Sequence, residues 1–320
     1  MSTVEYRTLG DSGLQVSVAG LGTNNFGGRC DLEQTKAVVH KAIEVGLNFI
    51  DTAESYGRGL SEEFIGKAIE GHRQEVLLTT KFGGRGKPGT GGRSYIKNAV
   101  HGSLQRLNTD YIDMLSIHFP DPSTPIEETM RALDDLVRAG DVRYLGCSNF
   151  AAWQLVEAEW AAKTAHSSPF IASQNPYSLL QRNVEQDLAP ACVKYGVGVI
   201  PYSPLAGGFL TGKYRQNEAP TEGTRLAGGQ GARQLNDDNF AKLAKLETFA
   251  HEHDHTVGEL ALAWLASQPF VGSVIAGATK PEQVEENVRA IEWHLSAEDM
   301  KALDEAMGVG AEPMRGGPGR

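Results

Sequence analysis

Short apolar runs alternate with amphipathic stretches along almost the whole chain, and this alternation constrains the fold more than any other feature. Runs such as 76–82 and 111–118 are nearly continuously hydrophobic, which is typical of strands covered on both faces. Stretches such as 93–107 and 126–138 place apolar residues at helical spacing. A strict strand–helix alternation indicates a parallel sheet. Eight such units favour a closed α/β fold, the (β/α)8 TIM barrel, over an open doubly wound sheet.

The predicted boundaries follow from these patterns and from capping residues such as Asp31 before the first helix. The predicted strands cover residues 16–23, 48–53, 76–82, 111–118, 142–149, 170–175, 197–202 and 273–278. The predicted helices cover residues 32–45, 61–69, 93–107, 126–138, 151–163, 187–195, 238–253, 258–267 and 281–290.

Four segments lie outside the repeating scheme. Residues 5–16 are predicted to form an N-terminal hairpin across the bottom of the barrel, and 296–307 an extra C-terminal helix opened by a capping box of Ser296 and Asp299. The irregular segment 203–237 is too long for an idle connector, so we expect it to fold over a bound molecule. The chain of 320 residues is therefore predicted to be one domain, 1–307, followed by a disordered, glycine-rich tail, 308–320.

Composition excludes several functional classes. The net charge of -10, with no basic stripe, argues against a nucleic-acid partner. No apolar run approaches the roughly 18 residues of a membrane span, so no membrane association is expected. The three cysteines, Cys30, Cys147 and Cys192, lie far apart and show neither a disulfide framework nor zinc-ligand spacing. The N-terminus lacks the pattern of a signal peptide, and a cytoplasmic location is predicted.

Polar residues end several predicted strands, where barrel enzymes place their working groups. The second strand ends at Asp51 with Tyr56 just beyond it, the third at Lys81 and the fourth at His118. The next three strands end in Ser148-Asn149, Gln174-Asn175 and Tyr202-Ser203. All of these side chains should surround one mouth of the barrel.

The first four of these residues can be interpreted as a proton-delivery set. A free tyrosine, with a pKa of roughly 10, is a poor acid at neutral pH unless its anion is stabilised. The Lys81 ammonium could stabilise it, Asp51 could keep Lys81 charged, and His118 could bind a substrate oxygen. Each residue alone could be structural, as a buried ion pair, a packed ring or a satisfied histidine. The four together on successive strand ends favour chemistry, where such an acid contributes ~10²–10⁴ in rate.

Motifs along the chain resemble those of the aldo-keto reductase superfamily. They are Asn48 to Gly57 followed by Ser61-Glu62, Thr80-Lys81-Phe82, His118 with Pro120-Asp121-Pro122, Gly146 to Phe150, Gln174 to Tyr177, and Tyr202 to Gly208. The resemblance runs from Gly22 to Asn287, and the longer loops are similar to the bacterial branch related to potassium-channel β subunits.

The resemblance implies an NADP(H)-dependent reductase or alcohol dehydrogenase that interconverts a small aldehyde or ketone and its alcohol. Tyr56 would be the general acid, tuned by Lys81 and Asp51, and His118 would orient the carbonyl. Hydride would come from the reduced nicotinamide. A second reading, motivated by the likeness to channel β subunits, is an NADP-binding redox-sensing or regulatory protein with slow turnover. A homo-oligomer is compatible with either reading.

The resemblance also implies a cofactor site without the usual GxGxxG fingerprint. Ser148, Asn149 and Gln174 would hold the carboxamide, and Tyr202 would stack on the nicotinamide ring. The remaining expected contacts are Gly22, Thr23, Asn24, Asp51, Ser203, Pro204, Leu205, Ala206, Gly207, Lys213, Gly277, Thr279, Lys280, Gln283, Glu286 and Asn287.

The choice between NADP and NAD depends on the adenosine end of this site. Thr279 and Lys280 lie at a predicted helix N-terminus, which could bind a 2′-phosphate and favour NADP over NAD. Gln283 stands where many relatives carry an arginine, a better phosphate ligand than a neutral amide. Asn24 also departs from the family pattern, in which Met or Trp is common at this position. The resemblance therefore does not predict the substrate-side wall of the site.

Two further features, a histidine cluster and a glycine-rich segment, could be interpreted as functional sites. His251, His253 and His255 with Asp254 could suggest a metal site, but only His251 and His255 share a helical face, so we interpret the cluster as a solvated surface and predict no metal. The glycine-rich segment 83–92 lacks the Lys-Ser ending of a phosphate-binding P-loop. We interpret it as a flexible loop at the rim that could touch substrate.

Overall fold

The N-terminal hairpin is the first element of the fold. The computed structural model describes residues 4–220, 224–227 and 233–309. Strands β1 (Tyr6–Thr8) and β2 (Gln15–Ser17) pair antiparallel, in agreement with the predicted hairpin. The predicted strand 16–23 is wrong at its start, because Val16 and Ser17 belong to β2. At this break Ser17 pairs with Tyr6 of β1, and its amide donates a hydrogen bond to the side-chain oxygen of Asn48 at 2.8 Å.

Eight parallel strands form the barrel, as predicted. They are β3 (Ala19–Gly22), β4 (Phe49–Asp51), β5 (Leu77–Phe82), β6 (Ile112–Ile117), β7 (Val142–Ser148), β8 (Phe170–Pro176), β9 (Gly198–Tyr202) and β10 (Val274–Gly277). Ladders join them in the order β10-β3-β4-β5-β6-β7-β8-β9. Val199 of β9 closes the ring: its amide donates to the Phe270 carbonyl at 2.9 Å, and its carbonyl accepts from the Gly272 amide at 3.0 Å.

Helices follow the strands and pack outside them. They are α1 (Leu32–Glu44), α2 (Leu60–Ala68), α3 (Arg93–Leu107), α4 (Ile126–Ala139), α5 (Ala152–Ala165), α6 (Leu188–Tyr195), α7 (Asp237–Glu252), α8 (Val257–Ala266), α9 (Pro281–Ile291) and α10 (Ala297–Ala306). Asp31 caps α1, and Ser296 and Asp299 form the predicted capping box of α10. Among the described helices, none is long and apolar enough to cross a membrane.

The barrel interior is divided into an apolar lower half and a polar upper half. Side chains two positions apart on a strand point to the same side, so Phe49 and Asp51 both face the interior. Phe49 belongs to a buried cluster with Leu9, Leu14 and Val16 of the hairpin region and with side chains of four other strands. The hairpin thus plugs the amino-terminal end of the barrel. The carboxyl ends of the strands lie above this apolar layer and are left to form a site.

The end of the chain is described only in part. Residues 308 and 309 follow α10, and the Val309 amide donates to the Asp304 carbonyl at 2.9 Å. Most of the tail predicted to be disordered, residues 310–320, lies outside the described part of the chain.

Candidate active site

A cleft of about 430 Å³ opens at the carboxyl ends of the barrel strands, within the size range of small-molecule sites. The described residues that line it are Gly22, Thr23, Asn24, Asn25, Arg29, Asp51, Tyr56, His118, Phe119, Ser148, Asn149, Gln174, Tyr202, Ser203, Pro204, Leu205, Gly207, Gly208, Thr211, Lys213, Arg225, Ile275, Ala276, Gly277, Thr279 and Gln283. Most of the residues predicted for the site therefore meet in one place.

A buried ion pair lies at the base of the cleft. Lys81 is fully buried, and its Nζ donates to Asp51 Oδ2 at 2.7 Å and to the Thr52 carbonyl at 2.8 Å. The other Asp51 oxygen accepts a hydrogen bond from Gln174 Nε2 at 2.9 Å. Burial alone would lower the pKa of Lys81, but the charge of Asp51 and its hydrogen bond to the ammonium, together with the contact with Tyr56, outweigh burial, so the pKa lies above its usual value. The ammonium is therefore charged at neutral pH.

Tyr56 is held above this pair by an unusual turn. The 3₁₀ segment Tyr56–Gly59 contains left-handed backbone at Gly57 (φ 56°) and Arg58 (φ 58°). A Cβ at Gly57 would lie 2.8 Å from the Phe26 carbonyl oxygen, so only glycine fits. The turn leaves the Tyr56 ring centroid 5.1 Å from Lys81 Nζ.

His118 completes the group at the base. Its ring meets the Tyr56 ring edge-on, with centroids 5.9 Å apart, and stacks on Phe119 at 4.7 Å. Burial and the Lys81 charge lower the pKa of His118 to about 3. The imidazole is therefore neutral at ordinary pH, and its buried Nδ1 has no hydrogen-bond partner among the described residues.

A second layer of polar side chains fixes this group and was not predicted from the sequence. The Ser61 hydroxyl lies 3.1 Å from the Thr23 hydroxyl and 2.9 Å from that of Thr52, and Thr23 donates to the Asp51 carbonyl at 2.8 Å. Buried Glu62 accepts from the Thr80 hydroxyl and from Arg106 Nε, both at 2.6 Å. The available signal for this layer in the sequence was a serine and a glutamate, Ser61 and Glu62, on the inner face of a predicted helix.

An aromatic ring, a side-chain amide and a hydroxyl form one wall of the cleft. Tyr202 donates its hydroxyl proton to Asn149 Oδ1 at 2.7 Å. Asn149 Nδ2 in turn donates to Ser148 Oγ at 3.0 Å and to the His118 carbonyl at 2.9 Å. The hydrogen bonds orient these polar groups toward a common ligand space.

Positive charge gathers along the segment that follows β9. Ser203, Ala206, Gly207 and Gly208 all have positive φ, so the chain turns sharply beside the cleft. Lys213 and Arg225 line the cleft there. Burial and the nearby charge of Arg29 lower the pKa of Arg225. Parts of the predicted covering segment, residues 221–223 and 228–232, lie outside the described residues.

The end of the cleft beside β10 differs in detail from the prediction. Gly277, Thr279 and Gln283 line it, but Lys280, Glu286 and Asn287 do not. The Thr279 amide and hydroxyl both donate to Gln283 Oε1, at 2.8 and 3.1 Å. The backbone amide of Thr279, which was expected to bind an anion, is therefore hydrogen-bonded to Gln283. Ala206 and Lys81 are buried behind the lining. Contacts of these residues with a cofactor remain predictions.

About a third of the lining residues were not predicted from the sequence. These residues are Asn25, Arg29, Phe119, Gly208, Thr211, Arg225, Ile275 and Ala276. Phe119, Gly208 and Ile275 adjoin predicted residues and could have been found by extending the motifs. Arg29 and Arg225 lie in irregular loops, where no periodicity indicates which way a side chain points.

The histidines near the end of α7 are engaged in packing and ion pairs. His253 stacks on Phe249 with centroids 4.4 Å apart, and His255 stacks on Trp293 at 3.9 Å. His253 also pairs with Asp299, and His255 with Glu259. Within the described residues, no group of three or more histidines, cysteines or acids is placed to hold a metal ion.

Comparison with known proteins agrees with this geometry. The sequence profile of the Aldo/keto reductase family matches residues 19–307. A probable voltage-gated potassium channel subunit beta of Arabidopsis thaliana is 38% identical over 301 residues, covering 90% of this chain and 92% of that protein. A putative subunit of the same kind from Schizosaccharomyces pombe is 38% identical over 325 residues, covering 95% and 93%. The uncharacterized oxidoreductase YrpG of Bacillus subtilis is 35% identical, covering 97% and 98%.

The chain belongs to the aldo/keto reductase family, as the resemblance predicted. The family and the oxidoreductase relative support a general oxidoreductase function. Members of this family typically bind nicotinamide cofactors.

Proposed function

We propose that this protein is an NADPH-dependent reductase that converts a small aldehyde or ketone to an alcohol, with Tyr56 as the general acid. The observation that carries the proposal is the buried Lys81 ammonium, paired with Asp51 at 2.7 Å, below the Tyr56 ring and beside His118. This arrangement places a proton donor, a charge that stabilises its anion and a neutral hydrogen-bonding ring at one point.

The cleft fits a nicotinamide cofactor. The Tyr202 ring offers a stacking surface, the amides of Asn149 and Gln174 can bind a carboxamide, and Lys213 and Arg225 can neutralise phosphates. A bound reduced nicotinamide would supply hydride to the carbonyl carbon. The cations support a highly charged cofactor and therefore favour NADP over NAD. NAD remains the less favoured alternative because Gln283, a neutral amide, lies at the adenosine end.

The protein's own residues handle the proton. Neutral His118 hydrogen-bonds the substrate oxygen and directs it toward the Tyr56 hydroxyl. Tyr56 gives its proton to that oxygen, and the Lys81 ammonium stabilises the phenolate that is left. Asp51 keeps Lys81 charged and fixed in place, and a proton from solvent then restores Tyr56.

Steady-state turnover tests the proposal. A panel of aldehydes and ketones is assayed with NADPH and, in parallel, with NADH, while cofactor binding is titrated by fluorescence. We expect turnover on at least one carbonyl class, with higher kcat/KM with NADPH than with NADH. Tight NADPH binding with no turnover on any substrate would contradict the reductase proposal.

That contrary result would favour a second candidate, an NADP-binding redox-sensing or regulatory protein. The similarity to proteins named as potassium channel β subunits supports this candidate. The four residues proposed for proton transfer are present together, and this favours the reductase. A cytoplasmic location, a homo-oligomeric state and the absence of a nucleic-acid partner stay predictions.

A further inference from the structure

The glycine-rich segment 83–92 is tied to the rim of the cleft near both of its ends. The Gly83 amide donates to Glu54 Oε1, and the Gly91 amide donates to Asp121 Oδ2, both at 2.9 Å. The Gly89 amide donates to Ser123 Oγ at 2.9 Å. The segment between these anchors is exposed and carries Arg85. The anchors therefore hold an arginine at the edge of the cleft.

Arg85 contacts an aromatic residue of the cleft lining but does not itself line the cleft. Its guanidinium carbon is 5.4 Å from the centroid of the Phe119 ring, which lines the cleft and stacks on His118. Burial raises the pKa of Tyr202, and the charge of Arg85 opposes this effect, so the guanidinium is within electrostatic reach of that hydroxyl. Arg85 thus lies at the rim, next to the part of the lining that contains Phe119 and His118.

Arg29 supplies a second guanidinium to the cleft. It follows β3, and Arg85 follows β5; both strands pair with β4, whose loop carries Tyr56. Arg29 lines the cleft. Neither arginine forms an ion pair or a side-chain hydrogen bond with any described residue. Two arginines with no carboxylate partner in the described part of the chain therefore follow the two strands that neighbour β4.

The described lining of the cleft carries a net positive charge, although the chain has a net charge of -10. Asp51 is the one carboxylate among the described lining residues, and it is paired with Lys81. Lys213 and Arg225 lie against the turn at Gly207 and Gly208, where they are available for cofactor phosphates. Arg85 remains for another anion, and Arg29, whose charge reaches Arg225, can assist at either position.

We propose that the natural substrate carries a carboxylate or phosphate group in addition to its carbonyl, and that Arg85, assisted by Arg29, binds this group. The proposal rests on the reductase function. A charge-assisted hydrogen bond to a guanidinium is among the stronger polar contacts, and its planar fork matches both kinds of oxyanion. Arg85 is then a specificity-determining residue with no part in proton transfer.

Matched pairs of aldehydes test this proposal on the full chain with NADPH. One pair is 4-carboxybenzaldehyde and its neutral carboxamide, and the other is glyceraldehyde 3-phosphate and glyceraldehyde. We expect kcat/KM to favour the charged member of at least one pair by about 10-fold or more. The pair with the larger preference identifies the group as carboxylate or phosphate.

The variant Arg85→Gln should remove most of that preference by raising KM for the charged aldehyde about 10-fold. Its kcat/KM for the neutral aldehyde and its Kd for NADPH should stay within about twofold of the wild type. Arg131→Gln, at an exposed arginine of α4, is the matched control. It should not change the ratio of kcat/KM for the charged aldehyde to kcat/KM for the neutral one in either pair. Equal kcat/KM for both members of both pairs, or an equal loss on charged and neutral aldehydes in Arg85→Gln, would overturn the proposal.

A binding measurement separates this proposal from the proposed function. The alcohols 4-(hydroxymethyl)benzoate and glycerol 3-phosphate are titrated by calorimetry into the NADPH-loaded protein, whose cofactor is already reduced and cannot oxidise them. If no aldehyde is turned over but one of these anions binds, and binds at least about 10-fold more weakly to Arg85→Gln, the anion site stands and the reductase function fails. If neither anion binds, the anion site fails independently of turnover.

Discussion

His118 illustrates how one buried side chain couples burial, charge and chemistry. Its ring lies beside a buried ammonium, and both features disfavour a second positive charge. A neutral imidazole can donate or accept a hydrogen bond at the substrate oxygen without competing with Lys81 for Asp51. The same environment makes His118 a contributor to the acid sensitivity of the fold.

The stability of the protein should therefore respond to the protonation of His118. Its pKa is about 3 in the folded protein and 6.5 ordinarily, so the unfolded chain binds the extra proton between these values. Stability is lost as the pH falls below about 6.5. His118→Gln cannot take up this proton, so its free energy of unfolding should decline less than that of the wild type between pH 7 and pH 5, by about 1–2 kcal/mol.

Urea unfolding of both proteins at the two pH values measures this difference. His101→Gln, at an exposed histidine of α3, is the control and should follow the wild type. Parallel pH profiles for wild type and His118→Gln would contradict the assignment of a neutral, buried His118.

At the scale of elements, the turn after β4 determines where the phenol lies. Gly57 and Gly59 both adopt positive φ, and α2 begins at once after them. The hydroxyls of Thr23, Thr52 and Ser61 join this turn to β3 and β4. The position of Tyr56 is thus a property of the backbone and of its supporting hydrogen bonds.

Gly57→Ala should disturb this turn while leaving the barrel folded. The added methyl would lie 2.8 Å from the Phe26 carbonyl, so the backbone must shift and carry Tyr56 with it. We expect kcat/KM to fall by about 10-fold or more, since small misplacements of reacting groups are costly. Gly71→Ala is the matched control, because Gly71 also has positive φ (82°) but a Cβ there would meet nothing within 4 Å. An equal effect of the two substitutions on kcat/KM would show that the Phe26 contact is unimportant.

At the scale of the whole molecule, one end of the barrel provides stability and the other provides the site. The hairpin side chains pack on Phe49 and on interior residues of other strands. The polar group of Asp51, Lys81 and His118 begins above that layer. This separation allows the mouth to carry buried charge, which costs stability, while the plug stays apolar.

Leu9→Ala should accordingly weaken the fold more than the site. Leu9 is fully buried within the plug, and truncating a buried leucine typically costs about 2–5 kcal/mol. The kcat of the folded protein should remain close to that of the wild type. Val193→Ala, at a residue 65% exposed, should change the unfolding free energy by less than about 0.5 kcal/mol. Guanidinium unfolding with parallel activity assays measures both, and a loss of kcat in Leu9→Ala without a loss of stability would contradict this division.

Periodicity and strand ends predicted the barrel, its helices and the convergence of Asp51, Tyr56, Lys81 and His118. These features depend on local patterns and on the rule that parallel strands end at one rim. The break at Ser17 was missed because Ser17 pairs with Tyr6 of β1 and hydrogen-bonds to Asn48, 31 residues away. Arg29 and Arg225 were not assigned to the site because loop residues show no periodicity. The segment 83–92 was predicted to lie at the rim, but the position of Arg85 within it depends on distant anchors such as Asp121 and Glu54.

The central claim is that Tyr56 donates the proton that accompanies hydride transfer. Single-turnover reduction of an aldehyde by NADPH-loaded Tyr56→Phe tests it most directly, with NADPH binding measured on the same sample. We predict a rate lower than the wild type by about 10²-fold or more, with the Kd for NADPH essentially unchanged. A single-turnover rate equal to that of the wild type would contradict the claim and would assign the proton to another group.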